Sequence, residues 1–100
     1  MARYKFTNKA VDDLTQIWNY TYTKWSENRA DIYYYMLLEN CSELADNPDL
    51  GKKYSEVTPD LLGLKAGRHI IFYRRIDEND IEISRILHGQ LDLKNKINEK

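Results

Sequence analysis

The side chains that could carry out acid–base or nucleophilic chemistry at neutral pH are few. His69 and His88 are the only histidines and Cys41 is the only cysteine among the 100 residues. One cysteine cannot form a disulfide within the chain, and two histidines do not provide the ligand spacing of a zinc site. The sequence also lacks the common motifs of nucleotide-binding proteins, zinc proteases and serine hydrolases. We therefore expect neither a metal nor a cofactor.

Basic side chains are concentrated between residues 61 and 76, where the chain has no acidic residue. These basic side chains are Lys65, Arg68, Arg74 and Arg75. Such a strand surface is either simply solvated or contacts an anionic partner, which could be nucleic acid or an acidic protein segment. Because the formal net charge of the whole chain is −1, we do not expect strong independent binding to nucleic acid.

These residues must be positioned by elements that occur in the order β-α-α-β-β-β. The predicted strands cover residues 4–6, 61–66, 69–76 and 81–88, and the two helices lie between the first two strands. Thr7 or Asn8 and Ser26 can cap the helices, and Asn47-Pro48 ends the second one. Short connections predict a helical hairpin and antiparallel strands. The expected fold is an α+β domain over residues 1–100, with the helical hairpin packed on one face of an antiparallel sheet.

The apolar residues of the two helices predict which side chains form the core. In the first helix they are Val11, Leu14, Ile17, Trp18, Tyr22 and Trp25, with Asp12, Asp13, Gln16 and Asn19 mostly opposite. This spacing places Trp18, Tyr22 and Trp25, together with Tyr34, in the predicted interhelical core. Tyr33, Tyr34 and Tyr35 are consecutive, about 100° apart on a helix, so at least one of them must be exposed.

Four segments, in order, resemble the ParE branch of the RelE/ParE toxin superfamily, the toxic half of bacterial type II toxin–antitoxin pairs. The resemblance extends from about Tyr4 to Asp92. The first segment, residues 13–25, contains DL at 13–14, IWNY at 17–20 and Trp25. The other three are NPDLG in 47–51, GRHIIFYR in 67–74 and ISRILHGQLD in 83–92. Leu91 stands where the family usually has methionine, which is a conservative apolar difference.

The resemblance implies a toxin that inhibits DNA gyrase, stalls replication and requires no cofactor. It also implies a hetero-oligomer with a cognate antitoxin, whose C-terminal segment places a helix by the helical hairpin and an extended piece along the sheet. No apolar stretch approaches the ~20 residues of a membrane helix, and the N-terminus has no apolar signal-peptide region. We therefore expect a cytoplasmic protein without membrane contact. Gyrase and its relative topoisomerase IV remain alternative targets.

The RelE branch of the superfamily instead cleaves mRNA on the ribosome, and this is the alternative function. Cleavage through the 2′-hydroxyl needs a base, an acid and cations over the phosphate. Arginines are available, but His69 and His88 lie on different predicted strands, and the chain after His88 has no aromatic residue. We therefore predict no catalytic residues. A degenerate member that only binds its antitoxin is a third possibility.

Two sets of residues are the candidates for partner contacts. Because the family's toxicity is associated with the C-terminal end, the gyrase candidates are Arg85, His88, Asp92, Lys94 and Lys96. The antitoxin candidates are the basic residues Lys65, Arg68, Arg74 and Arg75 and the tyrosines Tyr33 and Tyr35.

Two of the gyrase candidates also have structural interpretations. His88 follows an apolar strand and could instead bond to a backbone carbonyl or cap a turn. Arg85 alternates with Ile83 and Leu87, which predicts one shared sheet face. Arg85 then either pairs with a carboxylate such as Asp92 or Glu56 or lines a functional groove.

Overall fold

The computed structural model describes residues 3–89 and Ile97, and it contains two helices and five strands. The elements are β1 (Arg3–Phe6), α1 (Asn8–Lys24), α2 (Glu27–Asp46), a 3-10 turn (Pro48–Leu50), β2 (Lys52–Lys53), β3 (Leu62–Ala66), β4 (His69–Arg75) and β5 (Asp80–His88). The strands form one sheet in the order β1-β5-β4-β3-β2. The predicted α+β class and element order are confirmed. Neither helix in this part of the chain has the length and apolarity needed to cross a membrane.

The sheet differs from the predicted one at its two edges. β1 pairs with β5 in parallel, whereas the other strand pairs are antiparallel. A parallel pair needs a long crossover connection, and here the whole chain between β1 and β5 provides it. β2 pairs with β3 where the sequence predicted only a loop. A strand of two residues is too short to show the alternation from which strands are recognised.

Both helices begin and end where the sequence predicts. The Thr7 hydroxyl oxygen accepts a hydrogen bond from the backbone N–H of Ala10 at 3.0 Å, and Ser26 Oγ accepts from Arg29 N–H at 3.1 Å. Each cap satisfies an N–H that has no partner within its helix, which typically contributes about 1 kcal/mol. α2 ends at Asp46, immediately before the Asn47-Pro48 pair.

β4 is the central strand, and its residues alternate between two apolar clusters. Ile71 and Tyr73 belong to the main core between the sheet and the helices. Ile70 and Phe72 belong to the second cluster, on the opposite face of the sheet. The second cluster also contains Leu61 and Leu87, and Tyr54, Val57 and Ile97 pack against it. Both sheet faces are therefore covered at β4.

The predicted interhelical aromatic core is wrong for two of its four residues. Tyr22 and Trp25 are 51% and 57% exposed, whereas Trp18 and Tyr34 are half-buried. α1 contributes its small residue Ala10 and Leu14 to the main core instead.

The half-buried Trp18 has its own partners at the margin of the helical hairpin. Its ring stacks on that of Tyr22 with centroids 5.2 Å apart, and its Nε1–H donates to Asp31 Oδ1 at 3.0 Å. Tyr35 is 61% exposed, so the prediction that one of the three consecutive tyrosines faces solvent is confirmed.

The packing of α2 predicts a large difference between two aliphatic truncations. Leu37 is fully buried, and Ile32 on the same helix is 61% exposed. Leu37→Ala removes apolar contacts and leaves a cavity, so we expect it to lower the free energy of unfolding by about 2–5 kcal/mol. Ile32→Ala is the matched control and should change it by less than about 1 kcal/mol. Urea unfolding of both variants measures the two values, and equal losses would contradict this assignment of the buried face.

Candidate functional site

A groove of about 880 Å³ lies between the helical hairpin and the adjoining ends of β4 and β5. We call it the helix–sheet groove. Its apolar lining residues include Ile17, Trp25, Ile32, Met36, Ile86 and Leu87. Its charged and imidazole side chains are Asp13, Arg29, Arg68, His69, Arg85 and His88. The groove therefore combines an apolar wall with a group of cations.

An ion pair between Asp13 of α1 and Arg85 of β5 lies at the base of the groove. Arg85 donates from Nε to Asp13 Oδ2 at 2.8 Å and from Nη2 to Oδ1 at 3.0 Å. Asp13 Oδ2 also accepts the backbone N–H of Ile86 at 3.0 Å. Both side chains are largely buried, with 9% of Asp13 and 14% of Arg85 exposed. We call this arrangement the Asp13–Arg85 clamp.

The clamp occurs where β5 loses its neighbouring strand. β1 ends at Phe6, which pairs with Ile83, so β5 continues past the end of β1. The N-terminal part of α1 supplies the missing hydrogen-bond partners. Thr7 donates from its hydroxyl to the Ser84 carbonyl at 2.8 Å, and Asp13 receives the N–H of Ile86. Backbone groups of a buried strand need such partners because an unpaired polar group is costly.

The clamp bears on three expectations from the sequence, which concern the position of Asp13, the partner of Arg85 and the role of Arg85. Asp13 was expected on the outer side of α1 but is buried. The carboxylate that pairs with Arg85 is Asp13, not Glu56, which is exposed. The other suggested partner, Asp92, lies outside the described residues. The two interpretations of Arg85 are compatible, since Arg85 both pairs with a carboxylate and lines the groove.

A β-bulge changes which residues of β5 share a sheet face. Phe72 pairs with Arg85, but the next residue, Tyr73, pairs with Ile83, so Ser84 is an extra residue in β5. Ile83 therefore packs in the main core, whereas Leu87 packs in the second cluster. The predicted common face of Ile83, Arg85 and Leu87 is wrong, because a bulge shifts the alternation by one residue.

The two histidines, which lie on different strands, are direct neighbours. His69 begins β4, His88 ends β5, and the antiparallel register pairs them. Their ring centroids are 5.6 Å apart and the rings are nearly perpendicular. Burial and the adjacent His88 lower the pKa of His69 to about 4, while Asp13 acts in the opposite direction. His69 is therefore neutral at pH 7.

Tyr33 of α2 forms a hydrogen bond with Nδ1 of His69. The Tyr33 hydroxyl accepts the backbone N–H of Arg68 at 3.0 Å, and it lies 2.6 Å from His69 Nδ1. The hydroxyl proton can be donated to Nδ1. A neutral imidazole that accepts at Nδ1 carries its proton on Nε2.

Gly67 permits the approach of Tyr33 to the β3–β4 turn. Its φ is +59°, in the left-handed region that favours glycine, and a Cβ at this position would lie 2.8 Å from the Tyr33 hydroxyl oxygen. The turn and the tyrosine therefore require a glycine here for two separate reasons.

The structure brings together only some of the candidate residues. Arg68 and Tyr33 of the antitoxin set and Arg85 and His88 of the gyrase set line the helix–sheet groove. Asp92, Lys94 and Lys96 lie outside the described residues.

The other antitoxin candidates lie away from the groove. Lys65 and Arg74 lie on the sheet face opposite the helices, as their alternation with Ala66 and Tyr73 of the main core requires. Arg75 lies on the helix side and pairs with Asp49 at 2.6 Å. Tyr35 is exposed on α2 and packs edge-on against Tyr34. The basic residues between 61 and 76 therefore do not form one continuous surface.

Several groove residues were missed by the sequence reasoning. Arg29, whose guanidinium lies 5.3 Å from the ring centroid of Trp25, is one of them. Nothing in the local pattern distinguishes Arg29 from an ordinary exposed helix residue. The neighbouring positions of His69 and His88, by contrast, could have been found from the antiparallel register of their strands. Within residues 3–89 and Ile97, no three His, Cys, Asp or Glu side chains are arranged to hold a metal ion.

Comparison with known proteins agrees with this fold. A solved structure described as a chromosomal ParDE TA system from P. aeruginosa superposes with a TM-score of 0.75, covering 88% of this chain and 96% of that one. The two sequences are 21% identical, so this match establishes a common fold. The chain thus has the α+β fold of that structure.

Sequence matches identify the family. The model of the family described as "ParE toxin of type II toxin-antitoxin system, parDE" matches residues 4–93. Toxin ParE1 of Mycobacterium tuberculosis is 34% identical over 92 residues, which cover 92% of this chain and 94% of that protein. Toxin ParE1 of Caulobacter vibrioides is 27% identical with the same coverage. The chain therefore belongs to the ParE toxin family of type II toxin–antitoxin systems.

The buried clamp predicts a stability loss that an exposed ion pair does not. Asp13→Ala leaves the Arg85 charge and the Ile86 N–H without their shared partner, so we expect a loss of about 3–5 kcal/mol in the free energy of unfolding. Asp49→Ala breaks the exposed pair with Arg75 and should cost less than about 1 kcal/mol. Chemical denaturation of the two variants tests this. Similar small losses would mean that the clamp contributes little to stability.

The lowered pKa of His69 predicts a pH dependence of stability. Above the ordinary pKa of 6.5, the imidazole is neutral in the folded and unfolded states alike; between 6.5 and about 4, mainly the unfolded chain binds the proton. Stability should therefore fall as the pH decreases through this window. His69→Gln should flatten the dependence between about pH 7 and pH 5, as measured by urea unfolding. If the free energy of unfolding of this variant depends on pH as steeply as that of the unmodified protein, other groups cause the dependence.

Proposed function

We propose that this chain inhibits DNA gyrase and that a cognate antitoxin neutralises it by binding in the helix–sheet groove. Membership of the ParE family supports a toxin role. The observation that carries the antitoxin site is the composition of the groove. Its wall is apolar, and among its described lining residues the one acid, Asp13, is already bonded to Arg85. Arg29 and Arg68 then provide positive charge for an amphipathic, acidic helix.

The polar groups of the groove are better suited to binding than to proton transfer. The Nδ1 atom of His69 is engaged by Tyr33, and the low pKa makes this imidazole a weak base. Arg85 makes two hydrogen bonds to Asp13, so its charge is largely compensated within the protein. These arrangements support a toxin that acts by holding its target.

One observation favours mRNA cleavage as a second candidate function. His88, Arg68 and Arg85 line the same groove beside the carboxylate of Asp13, although the sequence places them far apart. An imidazole, two cations and a carboxylate are groups that cleavage through a 2′-hydroxyl could use. A toxin that retains only antitoxin binding is the remaining alternative.

Three assays separate these functions. A gyrase poison should block supercoiling or produce gyrase-dependent DNA cleavage, and added antitoxin should reverse the effect. The same assays with topoisomerase IV determine which enzyme is the target. Primer extension on translated mRNA should show no cuts, since codon-phased cuts would support the nuclease instead. Expression without antitoxin should arrest growth, and normal growth would indicate the inactive form.

A variant of the C-terminal tail should separate toxicity from antitoxin binding. Truncation after Leu87 is less suitable, because it also removes Ile97, which packs against the second cluster. We instead expect Lys94→Glu with Lys96→Glu to lower gyrase inhibition at least about tenfold while antitoxin affinity changes less than about twofold, since both lysines are gyrase candidates and neither is an antitoxin candidate. Lys52→Glu with Lys53→Glu is the charge-matched control and should leave both functions intact.

The reciprocal groove variant is Met36→Glu, which places an acid in the apolar wall. It should weaken antitoxin binding and preserve gyrase inhibition. Calorimetry with purified antitoxin and a supercoiling titration measure the two properties. Parallel loss of both properties in either variant would contradict the expectation that gyrase inhibition and antitoxin binding can be changed separately.

A further inference from the structure

The end of the groove formed by Arg68, His69 and His88 contains two imidazoles that the proposed antitoxin site does not require. We call it the histidine end. His69 and His88 are cross-strand partners, and Arg68 immediately precedes His69 in the β3–β4 turn. The backbone also joins these residues, since Gly89 N–H donates to the Arg68 carbonyl at 3.1 Å. Three side chains that can donate hydrogen bonds thus lie on neighbouring segments that backbone hydrogen bonds join.

We propose that the histidine end binds a phosphate group. Arg68 is exposed at the turn and lines the groove, so its guanidinium can reach a bound anion. Guanidinium and imidazole N–H groups form strong, charge-assisted hydrogen bonds to phosphate oxygens. A tetrahedral oxyanion presents oxygens in several directions, which suits donors from two strands and a turn. A planar carboxylate presents its oxygens in one plane and matches this arrangement less well.

The hydrogen bond from Tyr33 makes an anion a better ligand than a metal. When the Tyr33 hydroxyl donates to Nδ1, the proton of neutral His69 lies on Nε2, so the remaining ring nitrogen is a donor. A metal ion needs an unprotonated ring nitrogen, whereas an anion needs an N–H. In this tautomer, neutral His69 offers an N–H to an oxyanion.

Proton binding should strengthen this interaction. The charged and titratable groups that face His69 are Tyr33 from α2, Asp13 from α1, Arg68 from the turn, and Arg85 and His88 from β5. Burial and the adjacent His88 disfavour a positive imidazole, whereas Asp13 favours it. An anion bound beside the imidazole offsets the first two effects, so protonation and anion binding should favour each other.

Sulfate is a suitable probe, because it resembles phosphate but stays fully ionised across the pH range tested. The ring signals of His69 and His88 are followed by NMR during a titration with sodium sulfate, with sodium chloride at equal ionic strength as reference. We expect saturable shifts of both rings with sulfate alone, and tighter binding at about pH 5.5 than at about pH 7. Equal shifts with chloride, or no saturation, would overturn the proposal.

Variants test whether the shifts come from this site. Arg68→Gln and His88→Gln should each weaken sulfate binding at least about fivefold. Lys53→Gln removes a positive charge from the edge strand β2, outside the groove, and should leave binding unchanged. Arg68→Gln remains informative if His88→Gln fails to fold, because the backbone N–H of Arg68 makes the contact with Tyr33. Unchanged affinity in Arg68→Gln would overturn the proposal.

The source of the phosphate is found by comparing two further probes, inorganic phosphate and a single-stranded oligonucleotide of about eight thymidines. If the oligonucleotide binds more tightly than inorganic phosphate, and Arg68→Gln weakens this binding, the ligand is a nucleic-acid backbone. Equal affinity for the two probes would identify a free phosphate. If neither competes with sulfate for the histidine signals, the site does not recognise phosphate and the proposal fails.

Discussion

The Asp13–Arg85 clamp is the interaction on which the rest of the functional surface depends. It is a buried ion pair whose two hydrogen bonds join residues 72 positions apart in the chain. Burying two charges is costly unless their remaining hydrogen-bonding groups are satisfied. Here Asp13 also binds the Ile86 N–H, so one carboxylate neutralises the arginine and serves the backbone of β5. The clamp therefore works as a substitute for the strand neighbour that β5 lacks.

The position of the clamp determines the shape of the groove. Because α1 takes over the edge of β5 beyond Phe6, the helical hairpin is held against the end of that strand where His88 lies. Tyr33 provides a second connection, from α2 to the β3–β4 turn and His69. The two helices are thus each tied to a different strand end by polar contacts. The space between these two ties is the helix–sheet groove.

The features that depend on local sequence could be predicted, and those that depend on distant pairing could not. The caps at Thr7 and Ser26 and the stop before Pro48 involve neighbours within a few residues, so their chemistry is visible in the sequence. The burial of Asp13 depends on an arginine on a distant strand, and helical periodicity alone assigns an aspartate to the solvent side. The bulge at Ser84 has the same origin, because strand alternation is broken by pairing with β4 rather than by the residue itself.

The site shows the same division between local and distant information. The motif around Arg85 and His88 allowed the resemblance to the family to be stated from the sequence, yet it did not indicate which groups those side chains contact. In the structure, the bonds of Arg85 to Asp13 and of His69 to Tyr33 are internal to the fold. A partner in the groove gains little by displacing these satisfied groups, since the freed charge would have to find another partner. In the antitoxin site that we propose, recognition then relies on the apolar wall and on the exposed cations Arg29 and Arg68, and a partner without complementary acids would leave these two cations poorly matched.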